Sequence, residues 1–281
     1  MTDLAIIVVS YNAKADLLRM LESLLAPPPQ VTHEVVVVDN GSADGSLAAV
    51  REQWPRVTAI DAGGNLGFSR ANNIGIRATR SEFILLLNSD TLVAPGVIDR
   101  LVAVLRGLPD TAIVGPRLVD AAGVPEISFG RMMSPWNELR QKTLGRLYDA
   151  GVGFVRRFVA RQVRTAHVVD WVSGACLLVR RQDAEAVGLL DERFFLYTED
   201  IDFCASVRQT GRRVRFTPEA EIRHLRGRSR AHAPGPAEIA YRRSHLAFYA
   251  KHHPRWYPML RVYLRAKGAL PPQIGPGEAG Q

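Results

Sequence analysis

The sequence predicts an α/β chain: a doubly wound, mostly parallel sheet flanked by helices, with a C-terminal helical extension. Three observations carry the prediction. Apolar, β-branched runs alternate with segments whose apolar residues recur at helical spacing, four times in the first half. The runs are apolar at consecutive positions, as strands buried on both faces must be. Each run stops on small polar residues that include a carboxylate or an amide, where parallel sheets collect ligands.

Leu4–Val9 is the first such run and ends on Ser10-Tyr11-Asn12. Leu17, Leu18, Leu21, Leu24 and Leu25 then mark a helix, which Pro27-Pro28-Pro29 stops. Val35–Val38 repeats the pattern and runs into Asp39-Asn40-Gly41-Ser42, followed by Ala43-Asp44-Gly45-Ser46. A carboxylate leaving a strand tip can accept hydrogen bonds from a base imide or a ribose hydroxyl, the use expected of Asp39; Asp44 reads as a helix cap. Val57–Ile60 is a third strand. Gly63-Gly64-Asn65-Leu66-Gly67-Phe68 leads from it into a helix starting near Ser69. Glycines before a helix start let backbone N–H groups approach a phosphate, and Arg70 in the first turn fits an anionic partner.

Phe83–Leu87 is the fourth strand, ending on Asn88-Ser89-Asp90. Alternation along an extended chain turns Asn88 and Asp90 toward one ligand and Ser89 away. A hard divalent cation carrying a diphosphate suits such oxygen ligands. Val93-Ala94-Pro95-Gly96 opens the next helix. Ala112–Gly115 is a strand, with Pro116–Val119 as its extension. From Arg131 to His167 bulky apolar residues mix with arginines, which reads as an irregular excursion packed on the domain with its arginines solvated, or as a segment lying on an anionic bilayer. A short helix follows near Asp183–Val187, and Val214–Phe216 is a strand. Ala237–His252 is helical in pattern, and Pro271–Gln281, rich in Gly and Pro, reads as a disordered tail.

At 281 residues, 47% hydrophobic and 23% charged, the chain has an ordinary globular composition. Expected domain limits are 1–236, divided near 115 into a nucleotide half and an acceptor half, then 237–270 as a basic helical extension and 271–281 as tail. The formal charge of +8 points to an anionic partner. Nucleic acid is not expected, because the acidic patches at Asp39–Asp44 and Asp191–Asp202 would repel a phosphate backbone and no aromatic-plus-basic module is present. Two cysteines at no metal-ligand spacing fit a reducing cytosol. No leader is evident and no apolar stretch is long enough to span a bilayer. The expected location is cytoplasmic, with peripheral contact at the inner membrane face as an option.

The ordered series Ser10-Tyr11-Asn12, Val38-Asp39-Asn40-Gly41-Ser42, Asn65-Leu66-Gly67-Phe68 and Leu87-Asn88-Ser89-Asp90 strongly resembles family-2 glycosyltransferases of the GT-A fold. Within them it looks most like the bacterial rhamnosyltransferase-like branch that builds surface polysaccharides. The resemblance spans roughly residues 4 to 250. It implies an inverting transferase that uses a nucleotide-diphosphate sugar with Mg²⁺ or Mn²⁺ and a glycan or polyprenyl-linked acceptor. Ser10, Tyr11, Asn12, Asp39, Asn65, Arg70, Asn88, Ser89 and Asp90 fall on the donor side, with Asp39 against the base. The family's metal motif is Asp-x-Asp; here Asn88 replaces the first carboxylate, which leaves Asp90 to the cation and the amide to ribose or phosphate.

Asp170–Val179 resembles the family's acceptor-side strand, where Ser173 and Gly174 leave space for a sugar and Trp171 stacks on it or packs in the core. Glu199-Asp200 stands where the family keeps its general base; Asp200 is the first candidate and Asp191 the second, with Asp202 orienting a helix or meeting an arginine. His224…Ser229 matches a His-x-x-x-x-Ser element whose histidine is a metal ligand. Arg228, with Arg226 and Arg230, would hold the departing diphosphate. Two other readings stay open: a sugar-phosphate nucleotidyltransferase, although its glycine- and arginine-rich first loop with lysine is missing, and a non-catalytic nucleotide- or nucleic-acid-binding module. Rhamnose from its deoxythymidine diphosphate is the first expectation for the donor.

Overall fold

The computed structural model describes residues 2–225 and 234–272. In chain order the elements are β1 (Leu4–Ser10), α1 (Lys14–Leu25), β2 (His33–Asp39), α2 (Ser46–Gln53), β3 (Thr58–Asp61), α3 (Phe68–Arg77), β4 (Phe83–Asn88), β5 (Thr91–Val93), α4 (Val97–Arg106) and β6 (Thr111–Val119). Then come β7 (Pro125–Glu126), β8 (Phe129–Gly130), α5 (Pro135–Asp149), α6 (Gly153–Gln162), β9 (His167–Val169), β10 (Trp171–Val172), β11 (Cys176–Arg180), α7 (Arg181–Ala186), α8 (Glu199–Gln209) and β12 (Arg213–His224). The two last helices are α9 (Pro234–His252) and α10 (Tyr257–Ala266).

The main sheet runs β3-β2-β1-β4-β11-β6-β12-β5. Its first four strands are parallel, as the βα alternation requires. β11 enters antiparallel between β4 and β6, and β12 lies parallel to β6, so the sheet is mixed. Continuous apolar runs fill both faces. Leu4, Ile6 and Val8 of β1 pack with Val35, Val37, Phe83, Leu85, α1 and α4 on one side. Ala5 and Ile7 pack with Val36, Val38, Ile84, Leu86, α3 and α8 on the other. Each such side chain contributes about 1.5–3 kcal/mol on burial. A third cluster, Met133, Phe194, Ala205, Phe248 and Tyr249, joins α8 to α9 and α10.

Three elements depart from the sequence reading. Residues 131–167 contain two helices, α5 and α6, the first capped by the Ser134 hydroxyl accepting from the Asn137 N–H. Thr91–Val93, of which the sequence reading assigns only Val93, to the entry of a helix, forms β5 and pairs antiparallel with β12 at the far edge of the sheet. β12 is twelve residues long because its register against β6 shifts between Thr217 and Glu221. That irregularity takes up Pro218, which could not donate to a regular ladder. The expected tail from residue 273 on lies outside the described residues.

Candidate active site

The site forms where β1, β2 and β4 end. Asn12 has a left-handed backbone (φ 49°) that turns the chain after Tyr11, and its N–H donates to the Ser42 hydroxyl at 2.9 Å. The Ala43 N–H donates back to Asn12 Oδ1 at 2.8 Å, so the loops after β1 and β2 clasp each other. Tyr11 is half exposed beside them. Asp39 is buried at the tip of β2; its Oδ2 accepts from the Ser42 N–H at 3.0 Å, while Oδ1 is buried with no donor among the described residues. Ser10 Oγ and Asn88 Oδ1 are likewise buried and unpartnered. Unsatisfied buried oxygens are uncommon and costly, and three at neighbouring strand ends are the pattern of a surface that completes its bonds with a ligand.

The glycine loop before α3 is tied to the rest of the fold through three of its backbone donors. The Leu66 N–H donates to Asn40 Oδ1, the Gly67 N–H to Asn65 Oδ1 and the Phe68 N–H to the Phe195 carbonyl. The backbone donors of Leu66, Gly67 and Phe68 thus have protein acceptors, and Asn65 shapes the loop by also accepting from Asn40 Nδ2. Glycine is needed for close approach: a Cβ on Gly41 (φ +82°) would lie 2.7 Å from Gly64, and one on Gly67 (φ +84°) 2.6 Å from Phe195. Arg70 lies 3.9 Å from Glu192 and well exposed, so a carboxylate of the same chain already answers its charge.

β4 stops at Asn88, so Ser89 and Asp90 lie in a turn and the two-residue alternation does not reach Asp90. Asp90 instead meets His224, whose Nε2 is 3.2 Å from its Oδ1. The backbone dictates this meeting, because Thr91 is the cross-strand partner of His224 in the β5–β12 pair. On its other side His224 Nδ1 is 3.3 Å from Glu126 of β7, a neighbour for which the sequence offers no signal. Burial disfavours a charged His224, but the hydrogen bonds and charges of Asp90 and Glu126 outweigh it and raise its pKa. One mostly buried carboxylate and one imidazole at this separation fit an Mn²⁺ or Mg²⁺ ion whose remaining positions are filled by diphosphate and water oxygens. Among the described residues no cluster of three potential ligands forms. Ser229, Arg226, Arg228 and Arg230 lie outside them.

The candidate base stands across the strand ends. The Asn88 N–H donates to the Ala175 carbonyl at 3.0 Å, and one residue earlier the Gly174 N–H donates to Asp200 Oδ2 at 2.9 Å. Asp200 Oδ1 accepts from the Ile201 N–H. Ser173, tied through its own N–H to the Ser128 carbonyl, completes this wall. Glu199 is buried, with Oε2 unpartnered among the described residues. Burial first, then the charge of Asp200, pushes the Glu199 pKa well above the carboxylate range. Burial also raises Asp200, against the backbone donors that favour its charged form. Before the pair, Tyr197 and Thr198 are both left-handed (φ 66° and 69°), backbone strain of the kind concentrated at functional sites.

Asp191, Trp171 and Asp202 each have partners within the fold. Asp191 is held between Arg193 (2.6 Å) and Lys251 (3.0 Å), contacts that depress its pKa and make it a poor base. Trp171 donates its indole N–H to the Arg131 carbonyl and its ring covers Gly130, so it packs on its own two-stranded ladder. Asp202 meets Lys251 and His252, not an arginine. Sequence reasoning also missed Asn73, which exchanges hydrogen bonds with the Leu190 backbone and anchors the acidic loop to α3. A cleft of 450 Å³ lies away from these groups, between α5, α6 and the strands β8 and β9.

Residues 2–258 match the family model described as glycosyltransferase like family 2. The chain is 31% identical over 96% of its length, and 92% of the relative's, to an N-acetylglucosaminyl-diphospho-decaprenol L-rhamnosyltransferase of Mycobacterium tuberculosis. It is 24% identical to the rhamnosyltransferase WbbL of Escherichia coli, covering 78% of this chain and 82% of that one. Among solved structures, a mannosyltransferase of Pyrobaculum calidifontis in complex with GDP-Man and Mn²⁺ superposes with a TM-score of 0.62 at 19% identity, over 96% of this chain and 72% of the other.

Proposed function

The chain belongs to the family-2 glycosyltransferases, and we propose that it transfers a sugar with inversion from a nucleotide-diphosphate sugar to a polyprenyl-linked glycan acceptor in cell-surface polysaccharide synthesis. Rhamnose is the proposed sugar, supported by the names of two relatives. In this reading Asp39 and Ser10 take the nucleoside through their unpartnered oxygens, and Asn88 fixes ribose or phosphate. The acceptor hydroxyl oxygen forms a bond to the anomeric carbon as the bond from that carbon to the diphosphate oxygen breaks. Asp200, fixed by the Gly174 N–H, takes the hydroxyl proton, and burial keeps its basicity above that of a solvated carboxylate. A divalent cation held by Asp90 and His224 would neutralise charge on the leaving diphosphate.

The observation that carries the reading is the placing of Asp200 next to the strand-end wall that holds Asn88 and Gly174. The test is nucleoside diphosphate release from a panel of nucleotide sugars, with and without Mn²⁺, by the wild type and Asp200→Asn. The variant should bind donor normally and lose about 10²–10⁴ in kcat. Wild-type turnover by the variant, or release of pyrophosphate in place of nucleoside diphosphate, would reject the assignment.

A further inference from the structure

The positive charge of this chain is not spread over its surface. Residues 131–167 hold eight Lys or Arg against two Asp or Glu, and residues 255–267 hold four against none, which leaves the rest with 24 basic and 26 acidic residues. The same two stretches carry nine of the fifteen large apolar side chains exposed among the described residues. Trp136 is 73% exposed, Phe154 66% and Val262 69%.

The arrangement on the helices is two-sided. In α6, Val155 and Val159 are buried, and Phe154 and Phe158, one position earlier in each turn, face out between exposed Arg157 and Arg161. In α10, Leu264 is buried while Met259, Val262 and Tyr263 are exposed. α5 exposes Trp136 and Leu139 one turn apart. A helix that only rests on its own domain has an apolar inner face and a polar outer one. None of Arg140, Lys142, Arg146, Arg156, Arg157 and Arg161 forms an ion pair with a described carboxylate. Met133, just before α5, and Tyr257 and Leu260 of α10 meet in one cluster with Ala205 and Ile201 of α8, so α10 and the entry to α5 lie beside the helix that begins with Glu199-Asp200.

We propose that α5, α6 and α10 form a docking surface for an anionic lipid bilayer, with exposed aromatic and aliphatic side chains entering the headgroup region and the basic groups meeting lipid phosphates. The surface brings the base-bearing helix to the plane in which a lipid-linked acceptor sits. The docking claim itself needs neither donor nor acceptor. No described helix is long and apolar enough to cross a membrane, so the contact is lateral.

The experiment is co-sedimentation of the full chain with vesicles of phosphatidylcholine, alone or mixed with phosphatidylglycerol, at low and high salt. Two variants accompany the wild type, Trp136→Ala/Phe154→Ala and Arg156→Glu/Arg157→Glu, both altered only at exposed positions and checked by unfolding temperature and donor hydrolysis without vesicles. The wild type should bind phosphatidylglycerol vesicles, with binding falling as salt rises, and each variant should bind at least about tenfold more weakly. Equal binding to both vesicle types, wild-type binding by either variant, or a wild-type dimer that the Trp136 variant dissociates would overturn the proposal. Intact donor hydrolysis in any of these cases would leave the transferase reading standing.

Discussion

Glu199 and Asp200 are adjacent in sequence and unequal in surroundings. Asp200 holds two backbone donors, whereas Glu199 presents a buried oxygen to none among the described residues. The folded chain therefore binds the Glu199 proton more tightly than the unfolded chain does. By linkage, stability falls as pH climbs from the ordinary glutamate value of about 4.3 through the raised one. Glu199→Gln removes the titrating group. Its unfolding temperature should exceed that of the wild type at neutral pH, with the gain vanishing below roughly pH 4. Calorimetry across that range checks the sign, and a gain independent of pH would contradict it. Sequence alone named Glu199, Asp200, Asp39, Asp90 and His224 because motif order is one-dimensional. It could not supply Glu126, which reaches His224 from a two-residue strand with no pattern of its own, or demote Asp191, whose rival cation Lys251 lies sixty residues away.

At the scale of elements, the loop before α3 couples the proposed donor side to the strained approach of the proposed base. Phe195 sits where a side chain at Gly67 would have to go, and its carbonyl caps Phe68. Gly67→Ala should therefore destabilise by more than about 1 kcal/mol and lower kcat through displacement of residues 195–198, measurable by denaturant unfolding and initial rates. Stability equal to the wild type would mean that the approach has slack. Strands read as apolar runs were legible because burial on both faces leaves a continuous signature. α5 and α6 were not, because their outward aromatic and basic residues blur the helical period. Nor was β5, since three residues carry no periodicity and its partner strand arrives more than a hundred residues later.

For the molecule as a whole, α9 acts as a brace on α8, the helix that carries the proposed base. Lys251 and His252 of α9 close on the buried Asp202 of α8 at 2.8 and 2.6 Å, and Ser244 of the same helix donates to the Leu196 carbonyl. Lys251→Ala leaves Asp202 with one partner and should cost about 1–3 kcal/mol, read from urea denaturation. A loss under about 0.5 kcal/mol would mark the contact as ordinary surface.

The short β5–β12 ladder has a consequence for how such a chain can diversify. Everything between Val93 and Ile222 departs from that ladder and returns to it, while Thr91 and His224 stay face to face. Loops and helices in the excursion can lengthen, shrink or be exchanged for others without altering the spacing of the acid and the imidazole. The two ends of the ladder are thereby held constant while the segment between them is free to vary.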